Sequence, residues 1–326
     1  MSEAAGATMR IKAIDVDVGS ELIRVVTAGL PDLRATEPVG RLAELRAGHD
    51  DFRRFVIEPP RGHADVNACL LYPPCAADAA GTIVVAPHIG YVPIAGTPLM
   101  AAATAAVDLG LVAAEDGRST VRLDTAKGVA EIELQVANRR AEFATWLTTR
   151  PRTIMEQVDL ELENGPQLSA SIISPGLPYV VAEAASLGVD MDDLTALSAI
   201  GPMVIRSAAR TIPLGDIGLA DEASTYAAMI IGEISEARQG QPAKAHVAWV
   251  APDGWVGPSP AGTGAITAAT FLTSQGRIAV GEPIEVLGPS GVAFRCQVDD
   301  EAASVDVPVR IVAYLEFPAD GLPRAP

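Results

Sequence analysis

The amino-acid sequence predicts an α+β protein built from two homologous halves. An internal repeat is the main reason: "PIAGTPLMAAATAA" (Pro93 to Ala106) and "SPAGTGAITAATFL" (Ser259 to Leu272) carry Ala-Gly-Thr and then Ala-Ala-Thr at the same offsets. Self-similarity of this kind marks duplicated architecture. Each half also surrounds its repeat with short alternating apolar runs of strand length, and follows the Ala-Gly-Thr turn with one alanine-rich apolar helix. Mixed strands around a single core helix per half make an α+β layering.

Taken in order, "RIKAIDVDV" reads as a strand and "VGRLAELRAGHDDFRRFVI" as an amphipathic helix on the outer face, while "NACLLY" and "GTIVVAPHIGYV" are strands leading to the first turn. "STVRLDTAKGVAEIELQV" supplies more strands, and "VANRRAEFATWLTTRPR" carries the chain into the second half. There, "DMDDLTALSAIGPMVIRSAAR" opens with carboxylates suited to a helix N-terminus. "KAHVAWVAPDGWVG" leads to the second turn, and "EPIEVLGPSGVAFRCQV" returns as strands. The expected domains are residues 1–127 and 128–326, with the proline-rich tail 318–326 fraying.

Composition narrows the partners. The chain has 326 residues, 49% hydrophobic and only 4% aromatic, so aliphatic packing fills the core and no base-stacking surface is advertised. Lys and Arg number 24 against 41 Asp and Glu, a formal charge of −17 that opposes nucleic acid and anionic membranes. A small-molecule ligand is expected instead, and an anionic one needs local help from backbone amides. The three cysteines, Cys69, Cys75 and Cys296, lack metal-binding spacing or even pairing. No secretory signal or bilayer-spanning run is present, so the expectation is a cytoplasmic protein without metal or cofactor; a homodimer is left open.

A turn of small residues feeding a helix is a place where proteins hold anions, because the first N–H groups of the helix are free and its dipole is positive there. Gly262, Thr263 and Gly264 leave amides accessible and add a hydroxyl, whereas Gly96 and Thr97 precede Pro98, which has no N–H. The second turn is therefore the stronger carboxylate site. The plainer reading, two ordinary helix starts, carries equal weight on the turns alone.

The order of segments resembles that of the proline racemase family, which includes hydroxyproline epimerases and trans-3-hydroxyproline dehydratases. Five stretches carry the resemblance: "IDVDVGSELIRVV" (Ile14 to Val26), "EPPRGHADV" (Glu58 to Val66), "GYVPIAGT" (Gly90 to Thr97), "DGWVGPSPAGTG" (Asp253 to Gly264) and "GEPIEV" (Gly281 to Val286). It implies two pseudo-symmetric domains, each a β-barrel-like sheet around a central helix as in diaminopimelate epimerase and proline racemase, with the ligand site between the halves. It also implies a thiol at each turn tip, one removing and one delivering a proton at the substrate's α-carbon, since a thiolate at a helix N-terminus is a competent base.

This chain has Ala95 and Ala261 at those tips. A methyl group moves no proton, so the two-thiol mechanism is excluded. The family's His becomes Thr97, the Asp two residues before the second Ser-Pro becomes Gly257, and Ser171 stands where an Asp would clamp the substrate amine. So many departures argue for divergence over a two-site Cys-to-Ala knock-out.

Among remaining groups, His88 in "APHIGY" is the best-placed proton carrier; the plainer reading, a hydrogen-bonded strand-end histidine, weighs more heavily. Thr97 and Ser171 are further catalytic candidates, with Gly96, Thr97, Gly262, Thr263 and Gly264 assigned to the carboxylate. His63 is expected to brace Arg61 and its loop, with His49 on the surface and His246 on a strand. Asp17 and Glu21 reach a cleft or remain solvated, Ser174 only orients, and Cys69 and Cys296 are core residues. The functional expectation is a cofactor-independent isomerase or lyase on a small carboxylate-bearing substrate, by double-bond migration, elimination or epimerisation without the thiol pair. The alternatives are a non-catalytic carboxylate-binding homologue and an inactive Cys-to-Ala variant of a hydroxyproline epimerase.

Overall fold

The computed structural model describes residues 10–163, 167–220, 225–238 and 240–319. The chain divides into two compact units: residues 1–18, 22–144 and 309–326, and residues 19–21 and 145–308. The expected boundary after residue 127 falls inside a hairpin of the first unit, where Thr125 pairs with Gly128. Strand pairing keeps both arms of a hairpin together, so, apart from the short excursion of residues 19–21, the crossings come later, within two long strands.

The first unit contains β1 (Arg10–Val18), β2 (Glu21–Ala28), β3 (Val66–Tyr72), β4 (Gly81–Ala86), β5 (Gly117–Thr125), β6 (Gly128–Ala137) and the start of β7 (Arg140–Thr149). These pair in sequence order, and β15 (Ala302–Pro318) bonds to both β7 and β1, which closes the sheet. Asn138 and Arg139 both have positive φ, as a two-residue turn between β6 and β7 requires. At the centre lies α3 (Gly96–Asp108), buried from Gly96 through Val107 and packed against β1, β3, β4, β5 and β6. A helix apolar on all sides belongs in a core, and its alanines let the sheet wrap closely.

The expected outer helix over residues 39–57 is two helices, α1 (Pro38–Gly48) and α2 (Asp50–Ile57), separated at His49. Their apolar sides, including Leu45, Phe52 and Val56, join Leu70 and Val84 in one core cluster. A buried ion pair braces this unit: Arg24 Nε and Nη2 each donate to a carboxylate oxygen of Asp15 at 2.8 Å, while its Nη1 reaches the carbonyls of Val56 and Arg61.

The second unit repeats the plan with β8 (Arg152–Glu161), β9 (Gln167–Ser174), β10 (Tyr179–Glu183), β11 (Ala227–Ser235), β12 (Ala243–Val250), β13 (Ile284–Leu287) and β14 (Ala293–Val298), ordered β15-β14-β13-β12-β11-β10-β9-β8. Its core helix is α6 (Gly262–Ser274), buried through Thr273 and packed on β9, β10, β11, β13 and β14. The hydroxyls of Thr270 and Thr273 bond carbonyls one turn back, which satisfies them inside the core. The short α4 (Ala184–Leu187) follows β10, and α5 (Leu194–Thr211) covers β8, β10, β11 and β12, its N-terminus capped by the Asp193 side chain on the Ala196 N–H. Both units are thus sheets wrapped on a central helix. Pro318 ends β15 instead of fraying, and residues 320–326 lie outside the described residues. Among the described residues no helix is long and apolar enough to cross a membrane.

Candidate functional site

In the first unit, Ala95 precedes α3 in extended backbone, φ −156°, without a side-chain cap. The first N–H taken up by the helix is that of Leu99, on the Ala95 carbonyl. Pro98 has no N–H, so Gly96 and Thr97 alone present amides, and Thr97 is buried. The loop before the turn is pinned at several points. The buried Arg53 donates to the carbonyls of Pro87 and His88, Arg46 donates to that of Tyr91, and the Tyr91 hydroxyl donates to that of His49. His88 therefore has a fixed backbone. Its Nε2 is enclosed and has no hydrogen-bond partner, so the hydrogen-bonded bracing role does not account for this atom.

The second turn is built differently. Ala261 precedes α6 at φ 56°, ψ 153°, a region costing a residue with a Cβ about 1–3 kcal/mol. The two turns share a sequence but not a conformation. Ser259 Oγ accepts the Ala261 N–H at 2.9 Å and lies 3.2 Å from Oε2 of the buried Glu21, which draws the tip back. Gly288 makes room for this loop, since a Cβ there would lie 2.6 Å from the Ser259 backbone.

Because Ser259 takes the Ala261 N–H and the Ala265 N–H bonds the Ala261 carbonyl, the amides of Gly262, Thr263 and Gly264 precede the helix's internal ladder. All three residues are buried, and buried N–H groups without acceptors are costly enough that ligands or water normally meet them. Thr263 Oγ1 lies 2.9 Å from the hydroxyl of Tyr179, which also accepts the Trp249 indole N–H at 3.0 Å. Burial pushes the Tyr179 hydroxyl up to about 12, so it stays protonated.

Ser171 lies buried in β9 opposite Val181, and Ser174 Oγ accepts the Gly176 N–H at the end of that strand. Trp249 packs edge-on against Trp255 at 5.0 Å, beside Gly257. A Cβ at residue 257 would lie 3.1 Å from Trp249 Cε3 and 3.4 Å from Trp255 Cζ3. The indoles thus crowd the place where a side chain at residue 257 would begin.

Other candidates fall away from this chemistry. Cys69 and Cys296 are fully buried, and desolvation raises both thiols far above their ordinary range, so neither serves as a thiolate base. His63 is exposed and its Nδ1 accepts the Asp65 N–H, whereas Arg61 donates to the Phe55 carbonyl and stacks on that ring. The expected brace between His63 and Arg61 is replaced by this stacking. Asp17 pairs with Arg310 near the surface. Among the described residues no group of His, Cys, Asp and Glu could hold a metal ion. Sequence reasoning missed Arg53, Tyr179, Trp249 and the Ser259 role; only the Ser-Pro before the turn and the aromatic character of the flanking strands hinted at them.

Duplicated units, each with a core helix starting at an Ala-Gly-Thr turn, define a class of two-fold repeated α+β proteins. The family model described as proline racemase matches residues 13–315, and the chain belongs to that family. A trans-3-hydroxy-L-proline dehydratase of Burkholderia cenocepacia is 26% identical over 303 residues, covering 92% of this chain and 89% of that one. A Bacillus anthracis protein is 26% identical over 178 residues, and that match spans about half of each chain, 55% of this one and 51% of the other. In fold, the chain is similar to a crystal structure of a hydroxyproline epimerase from Agrobacterium vitis with bound trans-4-hydroxy-L-proline, at TM-score 0.83 and 17% identity, covering 96% and 93% of the two chains.

Proposed function

We propose that this protein is a cofactor-independent isomerase or lyase of a small carboxylate-bearing substrate, working with one base instead of two thiols. The observation that carries this reading is the start of α6, where three buried residues present amides ahead of the helix ladder beneath a tip that holds only a methyl group. Donors held in place before the reaction stabilise the charge that develops on a carboxylate when the adjacent carbon loses its proton. The assigned base is His88, whose Nε2 has no competing partner. Removal of the α-proton by a single base breaks the C–H bond next to the carboxylate. The electron pair of the broken C–H bond moves toward the carboxylate. It then either takes that proton back from the base at another carbon, which migrates a double bond, or expels a β-hydroxyl that leaves as water with the same proton. Thr97 and Ser171 are assigned to orienting the substrate.

Loss of both tip side chains also favours a second reading, a carboxylate-binding homologue without turnover. Proton NMR in D2O, on a panel of small hydroxy, amino and unsaturated carboxylates, separates the two. Loss of an α-proton signal with the wild type but not with His88→Ala supports the enzyme. Carboxylates that raise the melting temperature without any exchange support the binder, and neither effect overturns both.

A further inference from the structure

The three-residue chain Trp249–Tyr179–Thr263 has a direction, and that direction matters to the reading of α6 as a carboxylate holder, on which this inference rests. The indole Nε1–H can only donate, and it donates to the Tyr179 oxygen at 3.0 Å. The remaining link, 2.9 Å between Tyr179 and Thr263, can run either way. If Thr263 donated, the Tyr179 oxygen would accept twice and its own hydrogen would have no acceptor among the described residues. Tyr179 is fully enclosed, so that hydrogen would stay unsatisfied. If Tyr179 donates, the stronger acid of the two hydroxyls is the donor and the spare hydrogen belongs to Thr263, at the first turn of α6. Thr104, Thr270 and Thr273 bond carbonyls one turn back. Thr263 makes no such bond, so its hydrogen has no intrahelical use.

We propose that Tyr179 and Trp249 are positioning residues that commit the Thr263 hydroxyl to donate, joining the Gly262 and Gly264 amides in a donor-only cradle selective for an ionised carboxylate over a neutral carboxamide. An anion at this cradle gives the chain its last acceptor, and chains of hydrogen bonds polarise one another in the buried interior. Trp249 thus has two roles: it narrows the space at Gly257 and sets the polarity of the chain.

The test is a double-mutant cycle read as dissociation constants for acetate, with acetamide as the uncharged control. Tyr179→Phe is expected to weaken acetate about 3–10-fold, the worth of one hydrogen bond, and to narrow the preference for acetate over acetamide. In a Thr263→Val background the same substitution is expected to change neither. Thr263→Ser keeps the hydroxyl and should retain the Tyr179 effect, which serves if the valine variant fails to fold. Trp249→Phe should weaken acetate when Tyr179 is present and have no further effect in Tyr179→Phe. Equal losses from Tyr179→Phe in the wild-type and Thr263→Val backgrounds, or unaltered selectivity in Tyr179→Phe, overturn the positioning role while leaving carboxylate binding intact. A wild type that binds no small carboxylate overturns both.

Discussion

Ser259 Oγ accepts the N–H of Ala261 at 2.9 Å and thereby holds a residue with a Cβ at positive φ. The same amide is consequently withdrawn from any ligand. The amides of Gly262, Thr263 and Gly264 are the ones that precede the helix's internal ladder. Glu21, 3.2 Å from the serine oxygen, steadies this arrangement from the buried side.

Ala261→Gly should relieve the strain at the tip. The expected outcome is a gain of about 1 kcal/mol in unfolding free energy, read from a higher denaturant midpoint at unchanged slope. Ala95→Gly, at a tip with ordinary extended backbone, should lose stability or leave it unchanged. A gain at both positions would contradict the asymmetry of the turns.

Asp15→Asn should be among the most damaging single changes in the first unit. It leaves the Arg24 guanidinium without its counter-charge, and breaking a buried pair costs about 3–5 kcal/mol. Chemical denaturation followed by tryptophan fluorescence or circular dichroism measures the loss. Glu316→Gln, which breaks an exposed pair with Arg10, should cost far less.

Ala95→Cys with Ala261→Cys returns thiols to both tips. No epimerisation of proline or hydroxyproline is expected, because Gly257 and Ser171 still stand where the resemblance calls for Asp, and the Trp249–Trp255 pair crowds residue 257. Chiral chromatography after prolonged incubation is the measurement. Robust epimerisation by this variant would identify the chain as a thiol enzyme lacking only its thiols.

Stability should fall in alkaline solution. Burial raises Tyr179 and Tyr226 from 10.0 to about 12, and lifts the Cys69 and Cys296 thiols above their ordinary 9.0. Between the unfolded and folded values the native state binds more protons than the unfolded chain, so unfolding free energy decreases as pH rises. The loss should begin near pH 9 with the thiols and steepen through 10 and above with the tyrosines. Denaturation midpoints at pH 7, 9 and 10.5 measure it, and Cys69→Val with Cys296→Val should flatten the first part of the slope.

The repeat, both core helices, most strands and the family were legible from sequence, because each depends on local patterns: small residues before an apolar helix, alternation in strands, and ordered motifs. Alanine at both turn tips, Ala95 and Ala261, was legible for the same reason. The break at His49 and the division of the chain at residues 144/145 and 308/309 were decided by tertiary packing and strand pairing. So was the conformation of the second tip. Ser259 meets Glu21 across 238 residues of sequence, and Tyr179 meets Thr263 across 84 and Trp249 across 70. No periodicity encodes such pairings, since they arise only when the sheet wraps α6 and brings polar atoms together where water cannot satisfy them.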